Sequence, residues 1–197
     1  MVESKRLDTI RMRTEFDIET LLKAGGISNE IDYERALIFD RKLRVLSKDD
    51  PKLKTLRKKL RDLIADYESV NWGSNSRLST KKIKENDIAE FIAEQERQFI
   101  HKRKDLIRKK LKNLDLTQQD LGLVLGHSSK SYMSELMNGI YPFCLKDLIV
   151  INRLLKIELI DLVPTFLSQN DLLRIQTSIQ KLDNPKLKLN QGDLTLS

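Results

Sequence analysis

The stretch Leu116-Thr117-Gln118-Gln119-Asp120-Leu121, continued by Leu125-Gly126 and by Asn138-Gly139, restricts the possible folds more than any other part of the chain. Thr117 is a natural N-cap, since its hydroxyl can accept an orphan amide of the first turn. Leu121, Val124 and Leu125 then recur at helical spacing, and Gly126 stops the helix where a left-handed residue is needed. A second helix is predicted from Ser129 to Met137, with Met133 and Leu136 inward and Asn138-Gly139 as its stop. Two helices this short cannot stand alone in water, so they must pack about their turn. The pattern is that of a helix-turn-helix, a unit that lays its second helix in the DNA major groove. Paired amphipathic helices with a glycine turn also occur in all-α domains that never touch nucleic acid, so spacing alone leaves both readings open.

The flanking sequence extends the pattern. Leu106 to Leu162, with the Thr117-Gln118-Gln119 start, the Leu125-Gly126 turn, the Asn138-Gly139 stop and the Leu145–Leu155 helix, resembles the Cro/phage-repressor (XRE) family of five-helix DNA-binding domains. One extra residue follows Gly126, and Cys144 stands where a serine usually caps the fourth helix. A thiol caps poorly, which predicts a helix weaker by about 1 kcal/mol.

Upstream, the segments are again helical. Thr14 and Asp17 suggest a cap for a helix ending at Gly25-Gly26, with a weak strand signal around Ile10 and Met12. Ser28 or Asn29 caps a helix to about Leu46, with Tyr33, Ala36, Leu37, Leu43 and Leu46 inward. Asp50-Pro51 is a strong restart, a capping carboxylate followed by proline at the first helical position. From there Leu53, Leu56, Leu60, Leu63, Ile64 and Tyr67 step through to Ser69. The pair reads as an antiparallel hairpin whose leucine stripe needs a partner, either the first helix or another chain.

Asn71 to the residue before Asp87 is polar and turn-rich, with the only tryptophan, Trp72, at its start. The predicted organisation is therefore all-α: a helical domain over 1–70, a linker over 71–86, a helix-turn-helix domain over 87–163 led by a long helix capped by Asp87, and an extension over 164–197. The extension holds a helix from Asn170 to Leu182 on Leu172, Ile175, Ile179 and Leu182, then a tail alternating Leu187, Leu189, Leu194 and Leu196.

Ile27-Ser28-Asn29-Glu30-Ile31-Asp32-Tyr33-Glu34-Arg35-Ala36-Leu37, the Asp50-Pro51 break and the Leu60 to Glu68 helix look like the HigA-type antitoxins, which join such a hairpin to an XRE domain. The resemblance implies a homodimer that neutralises a HigB-like, mRNA-cleaving toxin and represses its own operon at a palindromic operator. It points to Tyr33, Leu37, Leu56, Leu60, Leu63 and Tyr67 of the hairpin as toxin-binding. The dimer contacts are open between the Asp87 helix, the Leu145 helix and the C-terminal helix. A stand-alone XRE-family regulator without a toxin, and an adaptor that has kept the fold and lost DNA binding, are the other readings.

Charge bears on the DNA reading. The chain is formally +7 over 197 residues. His101 to Lys112 carries seven lysines and arginines against Asp105, whereas Leu114 to Val163 has four against six acidic residues. Lys109, Lys110 and Lys112 on the leading helix are thus expected to meet phosphates and to set the salt dependence. Ser128, Ser129, Lys130, Ser131, Tyr132 and Ser134 are expected at the groove, with Gln118 and Ser128 on phosphates near helix N-termini. Glu135 is expected to face solvent or a neighbouring side chain.

Other chemistry is not signalled. His101 and His127 stand far apart without cysteine partners, so no metal site and no cofactor are expected. Gly126-His127-Ser128-Ser129-Lys130-Ser131 is not a phosphate loop, since serine stands where the motif requires glycine. No nucleophile–base pair is visible, so no enzyme is expected. One cysteine, no membrane-length apolar run and no signal-peptide core lead to the expectation of a cytoplasmic protein.

Overall fold

The computed structural model describes residues 16–48, 50–71, 80–164 and 169–182, with 184, 186 and 187. Among the described residues all regular structure is helical, as expected. Helix α1 spans Ile18–Ala24, α2 Glu30–Leu46, α3 Pro51–Asn71, α4 Thr80–Asn113, α5 Gln118–Leu125, α6 Lys130–Met137, α7 Leu145–Leu155 and α8 Gln169–Leu182, with a 3-10 turn at Leu159–Asp161.

Local chemistry sets most of these boundaries. Asp17 itself caps α1, accepting the Glu19 N–H and the Thr20 hydroxyl, both at 3.0 Å. Thr14 and the strand expected around Ile10 and Met12 lie outside the described residues. Asn29 accepts the Asp32 N–H at 2.9 Å to open α2, and the Asp50 carboxylate accepts the Lys52 and Leu53 amides at 2.8 and 3.2 Å to open α3. Helix α3 runs to Asn71, two residues past the expected end at Ser69.

The long helix departs from expectation. It begins at Thr80, so Asp87 lies inside it and does not cap it. Turn-forming composition stops at Ser79, and Lys81 to Asn86 contains no glycine or proline to break a helix. Residues 72–79, Trp72 included, lie outside the described residues.

The hairpin's leucine stripe finds its cover within the chain. Helix α2 packs against both α3 and α4, and α1 packs against α3. Leu43 and Leu60, both fully buried, belong to the same apolar cluster as Ile107, Leu121, Met133 and Ile151. The inward residues of α2 are Ala36, Phe39 and Leu43, while Tyr33, Leu37 and Leu46 sit half-buried at its edge. Arg35 binds Glu96 of α4 and, at 3.0 Å, Asp32. That fork fixes α2 on α4 in a place where a lone carboxylate would be costly.

Helix α8 carries Ile175 and Ile179 half-buried and Leu182 exposed; the expected seam residue Leu172 lies outside the described side chains. Leu187 is exposed, and Leu189, Leu194 and Leu196 lie outside the described residues. No helix among the described residues is long and apolar enough to cross a membrane.

Candidate nucleic-acid interface

Helix α5 opens on a reciprocal cap. Thr117 Oγ1 accepts the Asp120 N–H at 3.2 Å, and the Asp120 carboxylate accepts the Thr117 N–H at 2.8 Å. The Thr117 hydroxyl, donating to the Asp120 carboxylate at 2.7 Å, and then the Thr117 N–H hold that carboxyl below the usual carboxylate range. Gly126 closes the helix with φ of 84°, and the following His127 N–H reaches back to the Gly122 carbonyl at 2.7 Å. A Cβ on Gly122 would stand 2.9 Å from the His127 carbonyl oxygen, so the turn folds against α5 only because that position has no side chain. Gly122 is buried there with Leu121 and Leu125, while Val124, expected inward, is 55% exposed.

The second helix follows after four residues, Gly126 to Ser129. Ser129 caps α6, its hydroxyl accepting the Tyr132 N–H at 3.2 Å. Met133, Leu136 and Met137 turn into the core, which leaves Ser128, Ser129, Lys130 and Ser131 exposed at the N-terminal end. Gln118, first residue of α5, is half-buried. Serines and a lysine on one exposed helical turn can donate to or accept from base edges and phosphate oxygens.

The rest of the expected reading face is less free. Tyr132 is half-buried, edge-on to His127 at 5.2 Å between ring centroids and 6.0 Å from Tyr141. Ser134 is half-buried, and its hydroxyl accepts from the Asn138 amide at 3.3 Å. Glu135, expected to face solvent or a neighbouring side chain, does the second: it is 4% exposed, with Lys52 of α3 at 3.6 Å. Burial pushes its carboxyl above the usual range, and the attraction of the exposed Lys52 opposes this without reversing it. Sequence reasoning missed this contact, because nothing in the spacing of either helix points to a lysine eighty-odd residues upstream as the partner of Glu135.

The turn is braced from the other side. His127 Nε2 lies 3.1 Å from the Asp147 carboxylate, which also accepts the Cys144 N–H at 3.3 Å. Asp147 thus supplies at the start of α7 a hydrogen bond that offsets the weak cap expected from the thiol, and it links α7 to the turn before α6.

The basic leading helix is only partly available. Lys109 and Lys112 are exposed, while Lys110 is half-buried, its ammonium 3.4 Å from the Lys156 carbonyl oxygen. Arg103 is 2% exposed, donates to the Leu162 carbonyl at 3.1 Å and lies 5.5 and 5.3 Å from the ring centres of Phe99 and Phe143. Lys104 donates to the Asn138 side-chain oxygen at 2.6 Å, and burial lowers its pKa.

The six hairpin residues expected at a toxin are dispersed. Leu60 is wholly buried and touches no surface. Tyr33 and Tyr67 stack on each other, ring centres 5.0 Å apart, and donate to Glu68 and Glu30 at 2.8 Å each. Leu37 is half-buried against the core. Leu56 and Leu63 come together in a groove of about 740 Å³ shared with Leu22, Tyr141 and Lys59. Compared with protein-family models, with curated proteins and with solved structures, the chain finds no match in any of the three.

Proposed function

We propose that this chain is a sequence-specific DNA-binding repressor of the antitoxin kind, reading duplex DNA with the N-terminal end of α6. One observation carries the reading. Four consecutive small or basic residues, Ser128 to Lys130 and Ser131, stand exposed at the start of a helix whose opposite face is locked into the core. Such a turn can enter a major groove about 12 Å wide, while Lys109 and Lys112 supply cations on the helix leading into it. A single copy would reach too few bases, so two copies on a palindrome are the expected form. Neutralisation of a HigB-like toxin rests on the resemblance of the hairpin, and the groove around Leu56 and Leu63 is the surface that fits it.

The stand-alone regulator is the second reading, and a specific observation favours it. Leu60 is buried and the two tyrosines stack on each other, so three of the six hairpin residues expected at a toxin are engaged within the chain.

The DNA reading is tested by gel shift on the duplex upstream of the chain's own gene, comparing the wild type with Lys130→Ala. The variant is expected to bind about tenfold more weakly, the loss of one good base or phosphate contact. Equal binding at physiological salt rejects this use of α6. Co-expression with the adjacent gene, scored for growth rescue and co-purification, separates the antitoxin from the stand-alone regulator.

A further inference from the structure

The hairpin stands beside α6, not apart from it. Lys52 meets Glu135 at 3.6 Å and lies 5.0 Å over the Tyr141 ring, and Lys42 donates to the Asn138 carbonyl at 3.2 Å. A groove of about 310 Å³ separates Lys130 and Ser131 from Leu46, Asp50 and Leu53 at the turn of the hairpin. A helix lying in the major groove is flanked on both sides by sugar–phosphate backbone, because helix and groove are each about 10–12 Å wide. An element that borders α6 on its exposed side, as the hairpin turn does across this groove, must therefore leave when DNA arrives, or meet phosphate.

The hairpin is built to stay. Its Phe39, Leu43 and Leu53 share one apolar cluster with Leu121, Met133 and Leu136 of the helix pair, and the Arg35–Glu96 fork ties α2 to α4. Beyond the turn, Lys54, Lys58 and Arg61 lie exposed around a depression of about 350 Å³ that begins at Ser47, the residue after Leu46. Arg57, in the same depression, is held by Asp40 at 2.9 Å, and the exposed Asp62 also lines it, leaving three exposed cations against one carboxylate. Of the acidic groups around α6, Asp50 accepts the first amides of α3, Glu135 is met by Lys52, and Glu19 lies 3.9 Å from Lys23.

We infer that the hairpin is a fixed second wall of the DNA interface, and that Lys54, Lys58 and Arg61 of α3 bind the phosphates of the duplex that α6 enters. The inference rests on α6 entering a groove. The two basic stretches would then hold the duplex from separate elements, with the N-terminal half acting as part of the reading unit.

The test compares the full-length wild type, Lys130→Ala, and the triple variant Lys54→Ala/Lys58→Ala/Arg61→Ala, measuring DNA affinity against salt on the duplex upstream of the chain's own gene. All three substituted side chains are exposed, so thermal unfolding checks that the triple variant folds as the wild type does. Each lost phosphate contact removes roughly 0.9 from the slope of log K against log salt, so the slope is expected to fall by about 2 to 3. An unchanged slope, with Lys130→Ala still impaired, overturns this inference and leaves the DNA reading intact. Tighter binding by the triple variant also overturns it, and makes the hairpin a cover instead of a wall. A wild type that binds no DNA at any salt overturns both.

Discussion

Two stretches of this chain are about equally basic in sequence and unlike in space. On α3, five of the six cations between Lys52 and Arg61 are exposed, and only Arg57 is half-buried against an aspartate. On α4, the run from Lys102 to Lys112 loses Arg103 to the core, Lys104 to Asn138 and part of Lys110 to a backbone carbonyl. A count of charges is therefore a poor measure of a docking surface. Long cationic side chains bury their stems and place their heads wherever a carbonyl or aromatic face is available, which a one-dimensional count cannot register.

The strongest way to break this comparison is Arg103→Ala. If Arg103 is structural, the variant loses a buried hydrogen bond and two ring contacts, costing about 2–4 kcal/mol, while Lys109→Ala stays within about 0.5 kcal/mol. Thermal unfolding of both variants measures this, and equal melting temperatures would return Arg103 to the pool of surface charge. A smaller effect sharpens the comparison from the DNA side. Neutralising Lys109, Lys110 and Lys112 together is expected to lower the salt slope by about 2 and not 3, because Lys110 is partly engaged by Lys156. A drop of 3 would mean that the Lys110 contact opens on binding.

The smallest effect concerns the contact between the two regions. The Glu135 carboxyl is raised in the folded chain, so its contribution to stability is complete below the ordinary carboxylate pKa and is lost as pH rises through the raised value. Glu135→Gln should leave stability unchanged at pH near 3 and raise it modestly at neutral pH, flattening that part of the profile. Parallel profiles for the two proteins would show that Lys52 fully compensates the burial.

Legibility followed the range of the interaction. The α5–α6 pair was readable because its determinants are local: the Thr117–Asp120 cap, the positive φ at Gly126 and the stop at Asn138-Gly139 each act within a few residues. The same holds for Asn29 and for Asp50-Pro51. The start of α4 was misjudged, since the segment before Asp87 reads as polar linker until helix formers are weighed individually. Of the residues at helical spacing in α5, Leu121 and Leu125 are buried and Val124 is exposed, while Gly122 is buried against the turn. In the candidate site, Ser128 to Ser131 emerged exposed as expected, whereas Glu135 and Arg103 turned inward through partners that no local pattern connects to them.

What the amino-acid order determined by itself is therefore the all-helical character, the caps, and the exposed serines at the start of α6. These depend on hydrogen bonds and rotamers within one or two turns. The tertiary structure alone decided that α4 packs on α2 and α1 on α3, that Lys52 meets Glu135, and which cations remain on the surface. Those outcomes depend on apolar faces finding each other across long stretches of chain, and many pairings of such faces satisfy the same periodicity until side-chain shape and buried charge select one.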